Sequence, residues 1–378
     1  MMGFVRKTPA GSYRACWRDP AGRQRSKTFR IKRDASAFLA EVDSALNRGT
    51  YVAPHAGRLR LGDYAQRWLA GRNDERATAV RDESIMRNHV LPRWGSMPLS
   101  KIEHSAVQAW VTELGQRLSP ATVRECYRLT AGALRSAMRD RLIGFNPCEG
   151  VRLPPRRRKD TDDRIVTREE LLGKLLPAVP DRYRAVVALA GGTGLRWGEC
   201  AGLCWDAVDL VAGAVRVVRV AEEISGHVTL KPYPKSRAGR RTVPLPRFTV
   251  DALTRHRQGF GNAGEDLIFT ASTGQPLKRG TFRARVWKPS LQRAGLPAAL
   301  RFHDLRHSYA TWLVSDGVPI NDVARIMGHE QTSTTLNLYT HSTAERDRRV
   351  LRSFDAYSLP PADDEGTEDA EDPSGEGP

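Results

Sequence analysis

Residues able to bind a metal or an anion are concentrated in the hexapeptide HDLRHS, which runs from His303 to Ser308. At helical spacing His303, Arg306 and His307 fall at positions i, i+3 and i+4, so all three share one face. Two histidines four residues apart also begin a metal-binding signature. Arg306 argues against a metal, because its guanidinium stays protonated and would repel a dication. We therefore interpret the cluster as part of an anion site, with a solvated or satisfied helix face as the alternative.

Two further segments supply charged residues that suit the same anion. The glycine-rich stretch GGTGLRWGEC presents Arg196 and Glu199 at i and i+3, so the carboxylate can orient the guanidinium. The segment PYPKSRAGRRTVPL places Lys235 on an expected β-hairpin loop. Lys231 competes with Lys235, and the spacing of Lys235 to RRTVPL favours it as the residue of the site.

Two segments near the end of the chain complete the set. In RIMGHEQ, His329 directly follows Gly328, which we expect to end a helix. In TSTTLNLYTH, Tyr339 lies on a polar, threonine-rich helix or turn. Each motif is weak by itself, and their order along the chain carries the interpretation.

That order resembles the active site of the tyrosine recombinases, the phage integrase family, in the form found in actinobacteria and actinophages. In the family an Arg, a Lys, a His-x-x-Arg pair, a further His or Trp and a nucleophilic Tyr follow one another. The matching residues are Arg196, Lys235, His303, Arg306, His329 and Tyr339. Glu199 stands where the family often has an acidic residue, and it is expected to support Arg196 from behind.

The resemblance implies DNA strand transfer through a 3′-phosphotyrosyl intermediate, with Tyr339 as the nucleophile. Arg196 and Arg306 are expected to stabilise charge on the non-bridging oxygens, and His329 to add a hydrogen bond to the same phosphate. His303 is the candidate to accept the phenol proton or orient the attack.

Lys235 is the expected general acid for the departing 5′-oxygen. The ester bond is conserved in the covalent intermediate, so the reaction needs no ATP, and neither a metal nor another cofactor is expected.

The charge of the chain agrees with a polyanionic partner. The 378 residues include 60 Lys and Arg against 43 Asp and Glu, a formal net charge of +17. Eight acidic residues lie between positions 359 and 378, so the remainder carries +25. Such a body favours nucleic acid. Arginine outnumbers lysine 50 to 10, which suits phosphate binding but would also follow from a G+C-rich genome.

Candidate DNA-binding arginines lie in two regions. The first fifty residues read as three short strands and a helix, and in SYRACWRD one strand face carries Arg14 and Arg18. A small solvated sheet is the alternative to a sheet in a DNA groove. After the cap SPAT, a helix with Val123, Tyr127, Leu134, Met138 and Leu142 as its buried side also shows a row of four arginines. These are Arg124, Arg128, Arg135 and Arg139, for which phosphate contact competes with a solvated face.

The periodicity of the apolar residues and the proline- and glycine-rich breaks between segments predict a mainly α fold with small β elements. The resemblance to the tyrosine recombinases implies an arm-type DNA-binding domain at 1–55, a helical, SAM-like core-binding domain at 58–150 and a mixed α/β catalytic domain at 160–357. A disordered acidic tail is expected at 358–378. The catalytic domain should contain a three-stranded β patch.

The expected function is that of a site-specific recombinase that integrates or excises a mobile element or prophage. The expected partners are double-stranded DNA at core and arm attachment sites, three further protomers in a homotetramer, and accessory directionality or DNA-bending factors. The alternatives are a type IB topoisomerase-like enzyme and a non-catalytic DNA-binding regulator.

Cysteine usage and hydropathy set the expected location. The chain has five cysteines, without a C-x-x-C pair, which suits a reduced cytoplasm, here that of a bacterial host near its nucleoid. No stretch approaches the roughly 18 apolar residues needed to span a membrane, so no membrane partner is expected.

Overall fold

The computed structural model describes five stretches of the chain, which are residues 3–53, 55–155, 165–232, 239–260 and 267–328. The chain divides into two compact units, Met1–Lys159 and Asp160–Pro378. The predicted acidic tail lies outside the described residues, and the predicted division into domains stays a prediction.

The N-terminal unit begins with the expected sheet and helix. The strands are β1 (Phe4–Lys7), β2 (Tyr13–Arg18) and β3 (Gln24–Phe29), followed by helix α1 (Lys32–Asn47). The strands pair antiparallel in the order β1-β2-β3. Trp17 is buried in a small core of its own against α1, and its indole N–H donates to the Tyr51 hydroxyl at 2.8 Å.

The rest of this unit is helical. Its helices are α2 (Leu61–Ala70), α3 (Arg76–Ile85), α4 (Leu91–Trp94), α5 (His104–Arg117) and α6 (Pro120–Arg139). A π-helical segment, Met86–Val90, joins α3 to α4, and short 3₁₀ turns occupy Ala56–Arg58 and Leu99–Lys101. A second, larger core fills the space between these helices.

Helix α6 begins as the sequence predicts and ends earlier. The Ser119 side chain accepts a hydrogen bond from the Thr122 backbone N–H, the usual role of a serine N-cap. Of the predicted buried side, Val123 and Leu134 are fully buried, whereas Tyr127 is only partly so. Met138 and Leu142 are also only partly buried, and the helix stops at Arg139, before Leu142.

The C-terminal unit places helices around two small sheets. Its helices are α7 (Leu176–Ala178), α8 (Asp181–Thr193), α9 (Trp197–Ala201), α10 (Arg247–Phe260), α11 (Arg279–Phe282), α12 (Lys288–Arg293), α13 (Asp304–Ser315) and α14 (Ile320–Met327). The segments Glu170–Leu175 and Arg283–Trp287 are π-helical, and Trp205–Ala207 is a 3₁₀ turn. Its strands are β4 (Val208–Asp209), β5 (Ala214–Val217), β6 (Val220–Ile224), β7 (His227–Lys231) and β8 (Arg241–Pro244).

The sheets of this unit are arranged differently from the expected single patch. Strands β4, β5 and β8 form the predicted three-stranded sheet, and β6 and β7 form a separate two-stranded one. Among the described residues β7 pairs with β6 and β8 with β5. Strands β7 and β8 therefore belong to different sheets among the described residues, and the predicted hairpin loop with Lys235 lies outside those residues.

The mainly α fold with small β elements is confirmed, with the N-terminal sheet and helix as predicted. All five cysteines are free and buried. None of the helices in the described ranges combines the length and apolarity that a membrane span requires.

Candidate active site

The hexapeptide HDLRHS forms the start of α13. His303 is the residue before the helix, and Arg306 and His307 lie in its first turn. Asp304 is buried and receives the backbone N–H of Arg301 at 2.8 Å and its guanidinium at 2.6 Å. This local ion pair fixes the start of the helix and therefore the direction in which His303 and Arg306 project.

A glycine allows Arg306 to reach the neighbouring turn. Gly194 ends α8 with a φ of 62°, and a Cβ there would lie 2.6 Å from the Tyr309 ring. Only glycine avoids both the left-handed strain and the clash. The Arg306 Nη1 donates to the Gly194 carbonyl at 2.6 Å, and the Arg306 side chain is almost completely buried.

Three guanidinium groups meet at the carboxyl end of α14. Arg241 Nε donates to the Ile326 carbonyl at 2.6 Å, and Arg196 Nη2 donates to the Gly328 carbonyl at 3.1 Å. Arg306 Nη2 donates to the Met327 carbonyl, which lies between those two. The last carbonyls of a helix carry partial negative charge, so cations are favoured there. We call Arg196, Arg241 and Arg306, together with Glu199, the α14 cluster.

Glu199 holds two of these arginines. Its Oε1 accepts from Arg196 Nη1 and Arg241 Nη1, both at 3.1 Å. Its Oε2 accepts from the Arg196 backbone N–H at 2.8 Å and from Arg241 Nη2 at 2.9 Å. Burial alone would raise the pKa of Glu199, but the hydrogen bonds and charges of Arg241 and Arg196 outweigh it and lower the pKa. The carboxylate is therefore ionised and has four donors.

Arg241 is a residue of this site that the sequence did not reveal. It lies in the RRTVPL stretch, and its partners Ile326 and Glu199 lie far away in sequence. The adjacent pair of basic residues in that stretch was the available signal.

His303, the residue before α13, is exposed. Its ring meets the His307 ring edge to face, with centroids 5.0 Å apart. Desolvation on the protein side, together with the positive charges of neighbouring Arg306 and Arg301, lowers the pKa of His303, and solvent at the exposed edge screens part of that effect. The neutral form, which can accept a proton, is therefore favoured near pH 7.

The remaining predicted catalytic residues, Lys235, His329 and Tyr339, lie outside the described residues. Lys231, the competitor for the lysine role, is described. It ends β7, where its Nζ is 2.9 Å from Glu222 Oε1 on the paired strand. The structure thus brings Arg196, Glu199, His303 and Arg306 into one unit and adds Arg241.

The arginine row on α6 has a different character. Arg128, Arg135 and Arg139 are exposed, while Arg124 is half-buried and donates to the Pro154 carbonyl at 2.8 Å. Arg128 makes two hydrogen bonds to the buried carboxylate of Asp82, at 2.8 and 2.9 Å. We call Arg124, Arg128, Arg135 and Arg139 the α6 stripe.

The β2 arginines lie on the outer face of the N-terminal sheet. Arg14 is half-buried opposite Arg6 and Thr28, and Arg18 is exposed opposite Gln24. Cys16, which shares this face, is buried instead of exposed. The outer face thus carries Arg14 and Arg18 as expected, with the buried Cys16 between them.

Two protein-family models match this chain. The model described as the phage integrase family matches residues 166–346, and the model of the phage integrase N-terminal SAM-like domain matches residues 60–115. The first match spans the whole α14 cluster and both histidines of the hexapeptide.

Full-length relatives and solved structures are also similar. A protein of Mycobacterium tuberculosis named as a prophage phiRv2 integrase is 29% identical over 359 residues, covering 92% of this chain and 93% of the relative. The integrase of Mycobacterium phage D29 is 25% identical, covering 93% and 95% of the two chains.

The structure of the Tn1549 transposon integrase in complex with a circular intermediate DNA aligns with a TM-score of 0.66 and 21% identity, covering 78% of this chain and 99% of that one. At such identity the likeness shows the fold.

Proposed function

The chain belongs to the phage integrase family of tyrosine recombinases, and we propose that its α14 cluster binds the scissile phosphate of DNA during site-specific recombination. The observation that carries the proposal is the convergence of three guanidinium groups on one helix end, one of them from Arg306, three residues after His303. Neither a topoisomerase-like enzyme nor a non-catalytic regulator is favoured by the relatives.

The reaction we propose uses Tyr339 as nucleophile. Its phenol oxygen attacks the phosphorus, which forms a 3′-phosphotyrosyl bond and breaks the bond to the 5′-oxygen. His303 takes the phenol proton or orients the attack, and Lys235 gives a proton to the departing oxygen. The 5′-hydroxyl of another strand then reverses these steps and rejoins DNA.

Charge that develops on the non-bridging oxygens needs fixed donors nearby. Arg196 is 41% exposed at its side chain and is tied to Glu199 and Gly328, so it is both accessible and held in place. Arg306 is anchored to Gly194 and Met327. Such preorganised donors stabilise a transition state more than mobile ones, because they are already oriented. His329 follows Gly328 directly in sequence and is proposed to add a further hydrogen bond.

The DNA-contacting surfaces and the assembly are part of the same proposal. We assign core-site backbone contacts to the α6 stripe and arm-site contacts to the face with Arg14 and Arg18. The λ integrase has been solved as a tetramer bound to a Holliday junction, which supports a homotetramer here. Accessory directionality or DNA-bending factors are expected to act with it.

The test is covalent trapping by a nicked duplex that carries the core site, taken from the junctions that flank the gene. A nick near the cleavage position lets the short 5′-hydroxyl strand diffuse away, so religation stops and the covalent intermediate accumulates. The wild-type protein should give an SDS-resistant protein–DNA adduct, and Tyr339→Phe should give none. Both proteins should bind the duplex equally well, because the phenyl ring is retained. An adduct of undiminished yield in the Phe variant would remove Tyr339 from this role.

A further inference from the structure

The side chain of Arg241 is buried, unlike that of Arg196 in the same cluster. Its side chain is 6% exposed on β8, a strand held to β5 by antiparallel pairing. It makes four hydrogen bonds, two to Glu199, one to Ile326 and one to the Gly239 carbonyl at 3.0 Å. These contacts use most of the five N–H donors of a guanidinium.

Glu199 accepts more side-chain hydrogen bonds from Arg241 than from Arg196. The Arg241 side chain binds both carboxylate oxygens, the forked geometry that is strongest for this pair. The Arg196 side chain contributes one nitrogen to Oε1, and its other contact with Glu199 comes from the backbone. Arg241 thus occupies both oxygens of the Glu199 carboxylate, and most N–H donors of the Arg196 guanidinium are left for other partners.

We propose that Arg241 is a positioning residue: by holding Glu199 in a forked ion pair, it keeps the Arg196 guanidinium available for the scissile phosphate. The inference rests on the proposed phosphate-binding function. Arg241 itself does not contact DNA in this view. It acts through Glu199, and through Ile326 it also fixes the end of α14 from which the chain continues to His329.

The consequence of losing Arg241 follows from the burial of Glu199. Without Arg241, a carboxylate that is 4% exposed loses its forked partner in a poorly solvated place, and Arg196 remains to pair with it. Arg196 is already in contact with it, so the expected response is that Arg196 rotates into the vacant forked position. Its charge would then be neutralised by Glu199, and its donors would turn away from the phosphate.

A purely structural role for Arg241 makes a different prediction. If Arg241 only holds β8 against α14, any neutral replacement should slow cleavage, and removing the charge of Glu199 as well should not restore the cleavage rate. If Arg241 protects Arg196 from Glu199, removing both charges should partly restore the reaction. The double substitution therefore separates the two explanations.

The experiment measures single-turnover adduct formation on the nicked core-site duplex, DNA affinity and the thermal unfolding midpoint for each protein. Arg241→Gln should cleave roughly tenfold to a hundredfold more slowly, the scale expected when a donor is misplaced by about 1 Å. Its DNA affinity should stay within about twofold, because the affinity is spread over many phosphate contacts. Adding Glu199→Gln to Arg241→Gln should raise the cleavage rate about tenfold above that of the single variant.

Arg219→Gln is the matched control. Arg219 forms a comparable forked pair with Asp206, at 2.7 and 2.8 Å, in the same unit but outside the α14 cluster. It should cleave at the wild-type rate. If Arg241→Gln does not fold, Arg241→Lys replaces it in both the single and the double variant, because it keeps a charge but cannot bind both oxygens in a fork.

The outcomes are distinct. A folded Arg241 variant that cleaves within about twofold of wild type overturns the inference, as does a slow variant that Glu199→Gln fails to accelerate. Recovery in the double variant, with DNA affinity unchanged throughout, supports it. Failure of the wild-type protein itself to form an adduct contradicts the proposed function instead, so the two failures cannot be confused.

Discussion

The α6 stripe and the α14 cluster use the same residue type in opposite ways. In the stripe three of the four arginines are exposed on one helix, and their partners differ from one arginine to the next. In the cluster each guanidinium is held by a backbone carbonyl of the α14 end, and two of them share one buried acid. Arg135 and Arg139 of the stripe can therefore act alone, whereas a charge in the cluster depends on its neighbours.

This difference separates two kinds of DNA contact. Exposed arginines bind backbone phosphates additively and lose affinity as salt rises. Anchored guanidiniums in a confined site discriminate between the ground state and the transition state, because they do not reorganise as charge develops. We expect substitutions in the stripe to change binding and substitutions in the cluster to change the rate of cleavage.

The largest expected effect follows from removing a cluster arginine that faces the phosphate. Arg196→Ala should lower the cleavage rate at least about a hundredfold, or about 2.7 kcal/mol of transition-state stabilisation. Arg306→Ala should do the same. Arg196 is the cleaner test because its side chain is 41% exposed and its loss disturbs packing less. The measurement is single-turnover adduct formation at saturating protein.

DNA affinity measured on the same variants sharpens the contrast. Near-normal cleavage in both variants would contradict the assignment of the cluster to catalysis. Weak binding with an unchanged rate at saturation would place these arginines with the stripe instead.

The order of chemically distinctive residues predicted much of the α14 cluster. Arg196, His303 and Arg306 lie together in the C-terminal unit because local features deliver them: a glycine turn, a helix start and an i, i+3 spacing. Gly328 as a helix end was also predictable, since a glycine that directly follows the helical stretch DVARIM suits a left-handed cap.

Arg241 could not be assigned in this way. Its importance depends on contacts with Glu199 and Ile326, 42 and 85 residues away, and no local pattern encodes such pairings. Asp82 is a second example. In the sequence AVRDESI it resembles a solvated helix acid, yet its side chain is completely buried where Arg72, Arg81 and Arg128 converge on it. Sequence periodicity identified the arginines of α6 but not the acid that holds one of them.

Asp82 provides the next prediction, on stability. Asp82→Asn should lower the free energy of unfolding by about 2 kcal/mol, because three cations lose the charge that pairs them. This is less than for a fully buried pair, since Arg81 and Arg128 remain about half exposed to water. Urea unfolding at pH 7 measures the change. Glu83→Gln, an exposed neighbour on the same helix, is the control and should change stability little.

The same pair of proteins has a defined pH dependence. Burial alone would raise the pKa of Asp82, but the hydrogen bonds from Arg128, Arg81 and Arg72 outweigh it and lower the pKa. A carboxyl group with a lowered pKa in the folded state stabilises the protein at pH values above its ordinary pKa, near 3.9. This contribution is lost as the pH falls through the folded-state pKa. The difference between wild type and Asp82→Asn should be constant down to about pH 5 and shrink below about pH 4. A difference that grows on acidification would contradict the assignment.

The smallest expected effect concerns the salt dependence of DNA binding by the α6 stripe. Arg135 and Arg139 are exposed, and no ion pair of either occurs within the described part of the chain. Each phosphate contact releases condensed counterions, so removing one should reduce the magnitude of the log K against log[salt] slope by about 0.9. Arg135→Gln together with Arg139→Gln should therefore flatten the slope by nearly two units, with the cleavage rate at saturation unchanged.

Arg124 and Arg128 provide the matched comparison, because the structure gives their guanidiniums other partners. Arg124 donates to Pro154, and Arg128 is held by Asp82 and Glu125. The pair Arg124→Gln and Arg128→Gln should flatten the slope by less than the Arg135 and Arg139 pair, and should also lower stability, because Asp82 loses a partner. Equal slopes in all three proteins would mean that the stripe is a solvated face. Equal flattening by both pairs would mean that phosphate displaces Asp82 from Arg128, so that the buried acid holds this arginine only until DNA arrives.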